Sequence, residues 1–327
     1  RIIAWFFCSN RFSHHLTSSE SLCRMDVSII IVTYNTCQMT GECIDSIIEH
    51  TRDVEYEIIL VDNASRDASK QTFSNDSRLT YIYNEENIGF GRANNIGARE
   101  AKGDYLFLLN SDTLLTNNAI KHFMDYMASA PAQTGCCGCL LTNRDGEPIH
   151  SFGKRHTYAN SMDEWILFPW MKKLHLRHSL KKYDEERPRT IGIEVREQID
   201  YITGADLFIR RSVYETCGLF DPDFFMYYED AHLCRKYQKA GYRCAVITTP
   251  GIIHLVGASN REITPQKKLM ILQSMLLYHQ KDHSALSFAL FKWLFKLTYL
   301  TLYAISALFK PKKLRAETEY IKNVAKL

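Results

Sequence analysis

Four side chains stand out by what surrounds them. Asp112 lies two residues past Asn110, where an apolar run over residues 105–109 ends. Glu229 and Asp230 follow the aromatic stretch Phe224-Phe225-Met226-Tyr227-Tyr228, and His254 follows Ile252-Ile253. A carboxylate just past a buried strand can hold a hard divalent cation, which prefers oxygen ligands and needs few of them from protein. A carboxylate drawn into an apolar stretch gains basicity and suits a general base. Each also has a structural reading. Asp112 can serve a turn or cap a helix, the Glu229-Asp230 pair can cap one, and a single histidine is more often packed than ligating. Asp62 either caps its own turn with Ser65 and Asp67 or accepts from a nucleobase N–H. Asn87-Ile88-Gly89-Phe90-Gly91 has glycines without the dinucleotide fingerprint, and no Walker loop is present. By themselves these residues support a nucleotide-binding α/β enzyme with an aspartate-based metal site.

The elements that must position them alternate. Residues 27–33 form a near-continuous β-branched apolar run, as a buried parallel strand does. Cys43, Ile44, Ile47 and Ile48 repeat at helical spacing. Residues 58–61, 79–83 and 105–109 read as further strands, and 93–101 and 117–128 as helices stopped near Gly103 and before Pro131. Strands alternating with helices over short links predict a mostly parallel sheet covered on both faces. Ligands of such sheets sit at the carboxyl ends of the strands, where Thr33-Tyr34-Asn35, Asp62-Asn63 and Asn110-Ser111-Asp112 collect. Asn143-Arg144-Asp145-Gly146 reads as a hairpin turn, and 154–189 as helical and irregular insertions near the acceptor side. Further on, 199–202, 207–210, 243–247 and 252–254 read as strands, and 230–240 as a helix ended by Gly241.

The 327 residues allow one large α/β domain or two small ones, and a formal net charge of +3 gives no field that advertises nucleic acid. The ten cysteines lack zinc-ribbon spacing, so Cys136, Cys137 and Cys139 read as small buried hydrophobes in or beside a strand. Free cysteines without a secretory signal point to a reducing, cytoplasmic setting. Residues 1–24 lack periodicity and read as an extension, disordered or non-native, ahead of Met25. Residues 25–260 read as the catalytic domain and 261–327 as a helical segment.

In order along the chain, Val27-Ser28-Ile29-Ile30-Ile31-Val32-Thr33-Tyr34-Asn35, Ile58-Ile59-Leu60-Val61-Asp62-Asn63, residues 87–95, Phe107-Leu108-Leu109-Asn110-Ser111-Asp112, Thr203-Gly204-Ala205 and residues 224–230 resemble the signatures of glycosyltransferase family 2. The similarity runs from about Asp26 to Ser259 and is nearest to the bacterial rhamnosyltransferase-like branch, which builds cell-surface polysaccharide. It implies an A-type glycosyltransferase fold (GT-A) and inversion at the anomeric carbon. Transfer from a sugar nucleotide must neutralise a departing diphosphate, which a divalent metal does, and must deprotonate a hydroxyl, which a carboxylate does. By the resemblance Asp112 is the last aspartate of the metal motif and Asp230 the base, with Glu229 beside it. His254 completes the metal site (Mg2+ or Mn2+). Thr33, Tyr34, Asn35, Asp62, Asn87, Arg92, Asn94, Ser111 and Asp112 hold the donor nucleotide. The pattern departs at Asn110, where the motif's first aspartate is expected, at Ser111 for proline, at Asp206 for an apolar residue and at His232 for an acidic one. The leading donor is deoxythymidine-diphosphate rhamnose, followed by a hexose on uridine diphosphate. A sugar-nucleotide pyrophosphorylase would need a Gly-rich loop after the first strand, which residues 33–40 lack. A non-catalytic carbohydrate-binding relative would have lost Asp112 or Asp230.

Residues 285–309 are long enough to span a bilayer, but Lys292 and Lys296 lie inside the run at a cost of about 3 kcal/mol each. Lys292, Lys296, Tyr299, Tyr303, Ser306 and Lys310 form one stripe, the pattern of a helix lying in the membrane interface. Lys310, Lys312, Lys313 and Arg315 favour an anionic surface such as the cytoplasmic face of an inner membrane, where a lipid-linked acceptor would be met. The alternatives are packing on the catalytic domain, a homodimer contact, or spanning.

Overall fold

The computed structural model describes residues 25–162, 164, 195–255 and 264–309. The readings placed on 1–24, on 165–189 and beyond 309 lie outside the described residues.

The first half follows the alternating pattern: β1 (Val27–Thr33), α1 (Cys37–His50), β2 (Tyr56–Asp62), α2 (Ser69–Phe73), β3 (Thr80–Tyr83), α3 (Phe90–Glu100), β4 (Tyr105–Asn110), β5 (Thr113–Leu115) and α4 (Ala119–Ser129). Then come β6 (Thr134–Cys139), β7 (Phe152–Gly153), α5 (Tyr158–Met162), β8 (Val195–Ile199), β9 (Tyr201–Ile202), β10 (Asp206–Arg210), α6 (Arg211–Cys217), α7 (Glu229–Lys239), β11 (Arg243–Ile247) and β12 (Ile252–His254). Two helices follow, α8 (Pro265–Asp282) and α9 (Ala285–Phe309).

Eight strands form one sheet in the order β3-β2-β1-β4-β10-β6-β11-β8. It is mostly parallel, and β10 and β8 run against their neighbours. Register sets where the polar ends fall. Thr33 pairs with Asp62 and Val32 with Asn110, so the ends of β1, β2 and β4 share one rim. Because β10 is antiparallel, its start reaches the same rim, with Asp206 opposite Leu109. That places Gly204-Ala205 beside Asn110, whose N–H donates to the Ala205 carbonyl at 3.0 Å.

Both faces are covered. Ile29, Ile31, Phe107 and Phe208 pack under α1 and α4. Ile30, Leu106, Leu108 and Ile209 pack under α3 and α7. Near-continuous apolar strands are what a two-sided burial requires. A Cβ at Gly97 would stand 2.6 Å from the Ile30 side chain, so α3 lies closer to the sheet than any larger residue allows. The turn at residues 143–146 closes as read, with Gly146 at φ 78° and its N–H donating to the Asn143 carbonyl.

The C-terminal helices pack on the same body. Phe291 and Phe295 of α9 join Met275 and Tyr278 of α8 against Phe224 and Ala231. Asp282, buried at the end of α8, meets Arg155 at 2.7 Å, Arg235 at 3.0 Å and Lys239 at 2.6 Å. These cations hold its carboxyl well below the usual range. Packing on the catalytic body was one alternative for this segment. Of the expected polar stripe of α9, Lys292, Lys296 and Tyr299 lie half-buried on one flank, and the side chains of Tyr303, Ser306 and Lys310 lie outside the described residues. The solvent face is apolar: Leu286, Leu290, Trp293, Leu294, Leu297 and Leu300. Among the described residues no helix is long and apolar enough to cross a membrane.

Candidate active site

The Asp112 side chain is set by two very short strands. β12 pairs antiparallel with β5, putting His254 opposite Thr113. The Leu255 N–H donates to the Asp112 carbonyl at 2.8 Å, and Asp112 Oδ1 stands 3.2 Å from His254 Nε2. Both side chains keep slight exposure at the rim. A carboxylate oxygen beside an imidazole nitrogen, with an open side, fits a hard-to-borderline cation that takes its remaining ligands from substrate oxygens and water. The pair therefore fits a Mg2+ or Mn2+ site in which Asp112 and His254 are the protein ligands.

Across the start of β10 lies the second group. Asp230 Oδ2 accepts the Gly204 N–H at 3.0 Å and Oδ1 accepts its neighbour Ala231 N–H at 2.7 Å. Burial raises the Asp230 carboxyl above its ordinary range, and the two N–H groups oppose this in part. Glu229 is only 7% exposed, and its Oε2 has no hydrogen-bond partner. Burial first, and the charge of Asp230 second, push its carboxyl up. Both carboxyls are thus raised by burial, Glu229 more strongly than Asp230, whose oxygens are held by two backbone N–H groups. Tyr227 and Tyr228 just before them both have φ near +65° to +70° (70° and 64°), a region costly for side chains with a Cβ. Such strain is concentrated at sites that must hold a fixed geometry.

The 87–95 segment, read as nucleotide-binding, clamps this loop. Arg92 Nε donates to the Pro222 carbonyl at 2.5 Å, and Asn95 exchanges two hydrogen bonds with the Phe220 backbone. Gly89, at φ 91°, starts α3 against the Phe225 carbonyl, which a Cβ would approach to 2.3 Å. Asn87 Oδ1 accepts from Asn63 Nδ2 and from the Gly89 N–H, shaping the turn. Asn94 is buried and donates to the Phe90 carbonyl.

The remaining rim residues split into buried organisers and exposed groups. Thr33 is buried, with its hydroxyl on those of Thr36 and Thr40. Ser111 meets Thr36 Oγ1 at 3.2 Å. Asp62 is buried, with one oxygen on the Ser65 N–H at 2.7 Å and the other on the Tyr81 hydroxyl at 2.6 Å. The turn-capping reading accounts for the first of these bonds, and Tyr81 on β3 supplies the second. Tyr34 and Asn35 are exposed, and Asn35 takes φ 57° while its Oδ1 accepts the Arg66 N–H. An open cavity of about 520 Å³ runs from Asn35 and Thr36 past Asp67 and Arg144 to Leu255, next to His254. Its size is that of a small-molecule site.

Asp206 was singled out in the sequence only as an unusual residue. It lies fully buried between β4 and β6 strand ends, with Oδ2 on the Cys139 N–H at 2.6 Å and Oδ1 without a partner. Burial pushes its carboxyl from 3.8 up to about 7. The folded state therefore binds this proton more tightly than the unfolded state. Its contribution is greatest at low pH and is lost as pH rises from about 4 towards 7. Asp206→Asn keeps an acceptor for Cys139 and removes the charge. The variant's stability gain over wild type is expected to be about 2–3 kcal/mol larger at pH 8 than at pH 5, measured by urea unfolding with chelator present. An equal gain at both pH values would contradict this.

The comparisons with known proteins bear on the family and the fold. The family description "Glycosyl transferase family 2" matches residues 28–218. The chain is 25% identical over 242 residues to Rhamnosyltransferase WbbL of Escherichia coli, covering 72% of this chain and 85% of that protein. It is 24% identical over 249 residues to the uncharacterized protein y4gI of Sinorhizobium fredii, covering 74% of this chain but only 26% of that longer protein. Among solved structures, the mannosyltransferase PcManGT of Pyrobaculum calidifontis, in complex with GDP-Man and Mn2+, superposes with a TM-score of 0.52 at 18% identity over 92% of this chain and 86% of that one. GalNAc-T7 with UDP, GalNAc and Mn2+ gives 0.54 at 17% identity over 77% and 47%. These likenesses are to GT-A folds.

Proposed function

From the premise that this chain belongs to glycosyl transferase family 2, we propose that it is an inverting, metal-dependent glycosyltransferase. It moves a sugar from a nucleotide-diphosphate donor to a hydroxyl of a growing, lipid-linked surface polysaccharide. The observation that carries this is the pairing of two groups across one backbone hydrogen bond. Asp112–His254 stands beyond β4, Asp230 sits on Gly204 before β10, and Asn110 N–H to Ala205 O joins the two sides.

A bound divalent cation supplies charge neutralisation for the departing diphosphate. Asp112 and His254 hold it, and the 520 Å³ cavity gives the nucleoside its groove. Asp230 takes the acceptor proton as the acceptor oxygen bonds to the anomeric carbon and the bond from that carbon to the phosphate oxygen breaks. Glu229 stays buried and is held towards its neutral form, so it is a poor second nucleophile. The reaction is read as a single displacement with inversion. Rhamnose from deoxythymidine-diphosphate rhamnose is the leading donor, supported by the name of the E. coli relative.

The test is product formation. The full chain is incubated with manganese, a panel of nucleotide sugars and a membrane extract containing lipid-linked saccharides. Release of one nucleoside diphosphate, with a product heavier by one sugar of inverted anomeric configuration, supports the proposal. Retained configuration, or no transfer with any donor, counts against it.

Membrane contact belongs to the same proposal. Leu290 is 64% and Trp293 61% exposed on the apolar face of α9, and the sequence from 283 to 316 carries six Lys or Arg and no Asp or Glu. Burying each large side chain in the interface is worth about 1.5–3 kcal/mol. Leu290→Glu/Trp293→Glu is expected to weaken binding to anionic vesicles at least tenfold, with secondary structure unchanged. Equal flotation of variant and wild type would remove this contact.

A further inference from the structure

Three cysteines from three separate elements meet under the sheet. Cys136 lies on β6, Cys244 directly beside it on β11, and Cys234 on α7. Their sulfurs all lie within 4.8 Å of one another, with Cys136 and Cys244 at 3.4 Å. All three are fully buried. The Ile202 N–H points at Cys234 Sγ at 3.5 Å, a donor that offsets negative charge on that sulfur. Metal–thiolate bonds are about 2.3 Å long, and three in a plane set their sulfurs about 4 Å apart. The cluster needs only tenths of an ångström of movement to meet that.

A cavity of about 300 Å³, lined by Ile199, Asp200, Gln238, Tyr242, Arg243 and Cys244, borders the buried cluster at Cys244.

We propose that Cys136, Cys234 and Cys244 form a binding site for one cuprous ion. Thiolates select soft metals. Zinc asks for a fourth ligand, and among the described residues no further histidine, cysteine or carboxylate joins the group. A three-coordinate soft ion is satisfied by what is there. Each coordinating thiol releases its proton to solvent as the metal–sulfur bond forms, and no electron is transferred when the metal is supplied in the cuprous state. The consequence is mechanical. Cys234 lies one helical turn past Asp230 on α7, so the bound ion ties the helix that carries the base to β6 and β11.

The test uses the full chain, reduced with a phosphine and titrated anaerobically with cuprous ion against a competing cuprous chelator. Copper per chain is measured after desalting, alongside the thermal midpoint. The expected result is one copper per chain and a raised midpoint. Both are expected to persist in the control Cys8→Ser/Cys23→Ser/Cys37→Ser/Cys217→Ser. Retained copper is expected to fall at least tenfold in Cys234→Ala and in Cys136→Val, two variants that change the core differently. No copper in the wild type, undiminished copper in either folded variant, loss in the control, or tighter retention of zinc than of cuprous ion would each overturn the proposal.

Discussion

Asp230→Asn is expected to lower kcat for sugar transfer by about 10²–10⁴-fold, with donor affinity within a few-fold of wild type. The amide is nearly isosteric and can still accept the Ala231 N–H at Oδ1, so α7 keeps its start. It cannot take a proton. The pH profile gives a second readout. Burial raises the Asp230 carboxyl, and the reaction needs it ionised. Wild-type kcat/KM must therefore fall as pH drops, with its acid limb above the range of a free carboxylate. The variant's residual activity should lack that limb. Transfer at near wild-type rate would mean that Asp230 only holds the Gly204 turn.

Asp112→Ala is expected to cost about 10²–10³-fold in kcat/KM, the loss of several kcal/mol of charge stabilisation, and to remove most of the stimulation by manganese. His254→Ala should cost less, because a neutral nitrogen contributes less than a charged oxygen to holding a hard cation. Asn110 sharpens this expectation. With an amide where the motif has its first aspartate, Asp112 is the site's carboxylate at that strand end. The check is a manganese titration of initial rate for wild type and both variants, with circular dichroism to confirm folding. Unchanged metal dependence in Asp112→Ala would relocate the metal.

The strands that matter most were legible because they are buried on both faces. Residues 27–33 and 105–109 read as apolar runs, and their register carries Thr33, Asp62 and Asn110 to one rim. The convergence of Asp112 and His254 was legible only through resemblance. It depends on β5 and β12, three residues each, too short to show a period of two. The reversed direction of β10 leaves no local mark either, yet it brings Gly204 to Asp230. The clamp by Arg92 and Asn95 was hidden for a different reason: their partners are the backbone groups of Pro222 and Phe220, and a backbone partner has no sequence signature. The polar stripe on α9 was read from side-chain type alone. Phe291 and Phe295 claimed the packed face, which left leucines and Trp293 outward. The thiol cluster joins positions 108 residues apart, beyond the reach of any spacing rule.

The most direct test is thermal stabilisation of the full chain by a panel of nucleotide sugars, each with and without manganese, beside Asp112→Ala. A ligand that binds only the folded state must raise its midpoint. The account predicts a rise with one nucleotide that needs manganese and vanishes in the variant. A rise that persists without metal and in Asp112→Ala, or no rise with any donor in a folded protein, would contradict a metal-held sugar-nucleotide site at this rim.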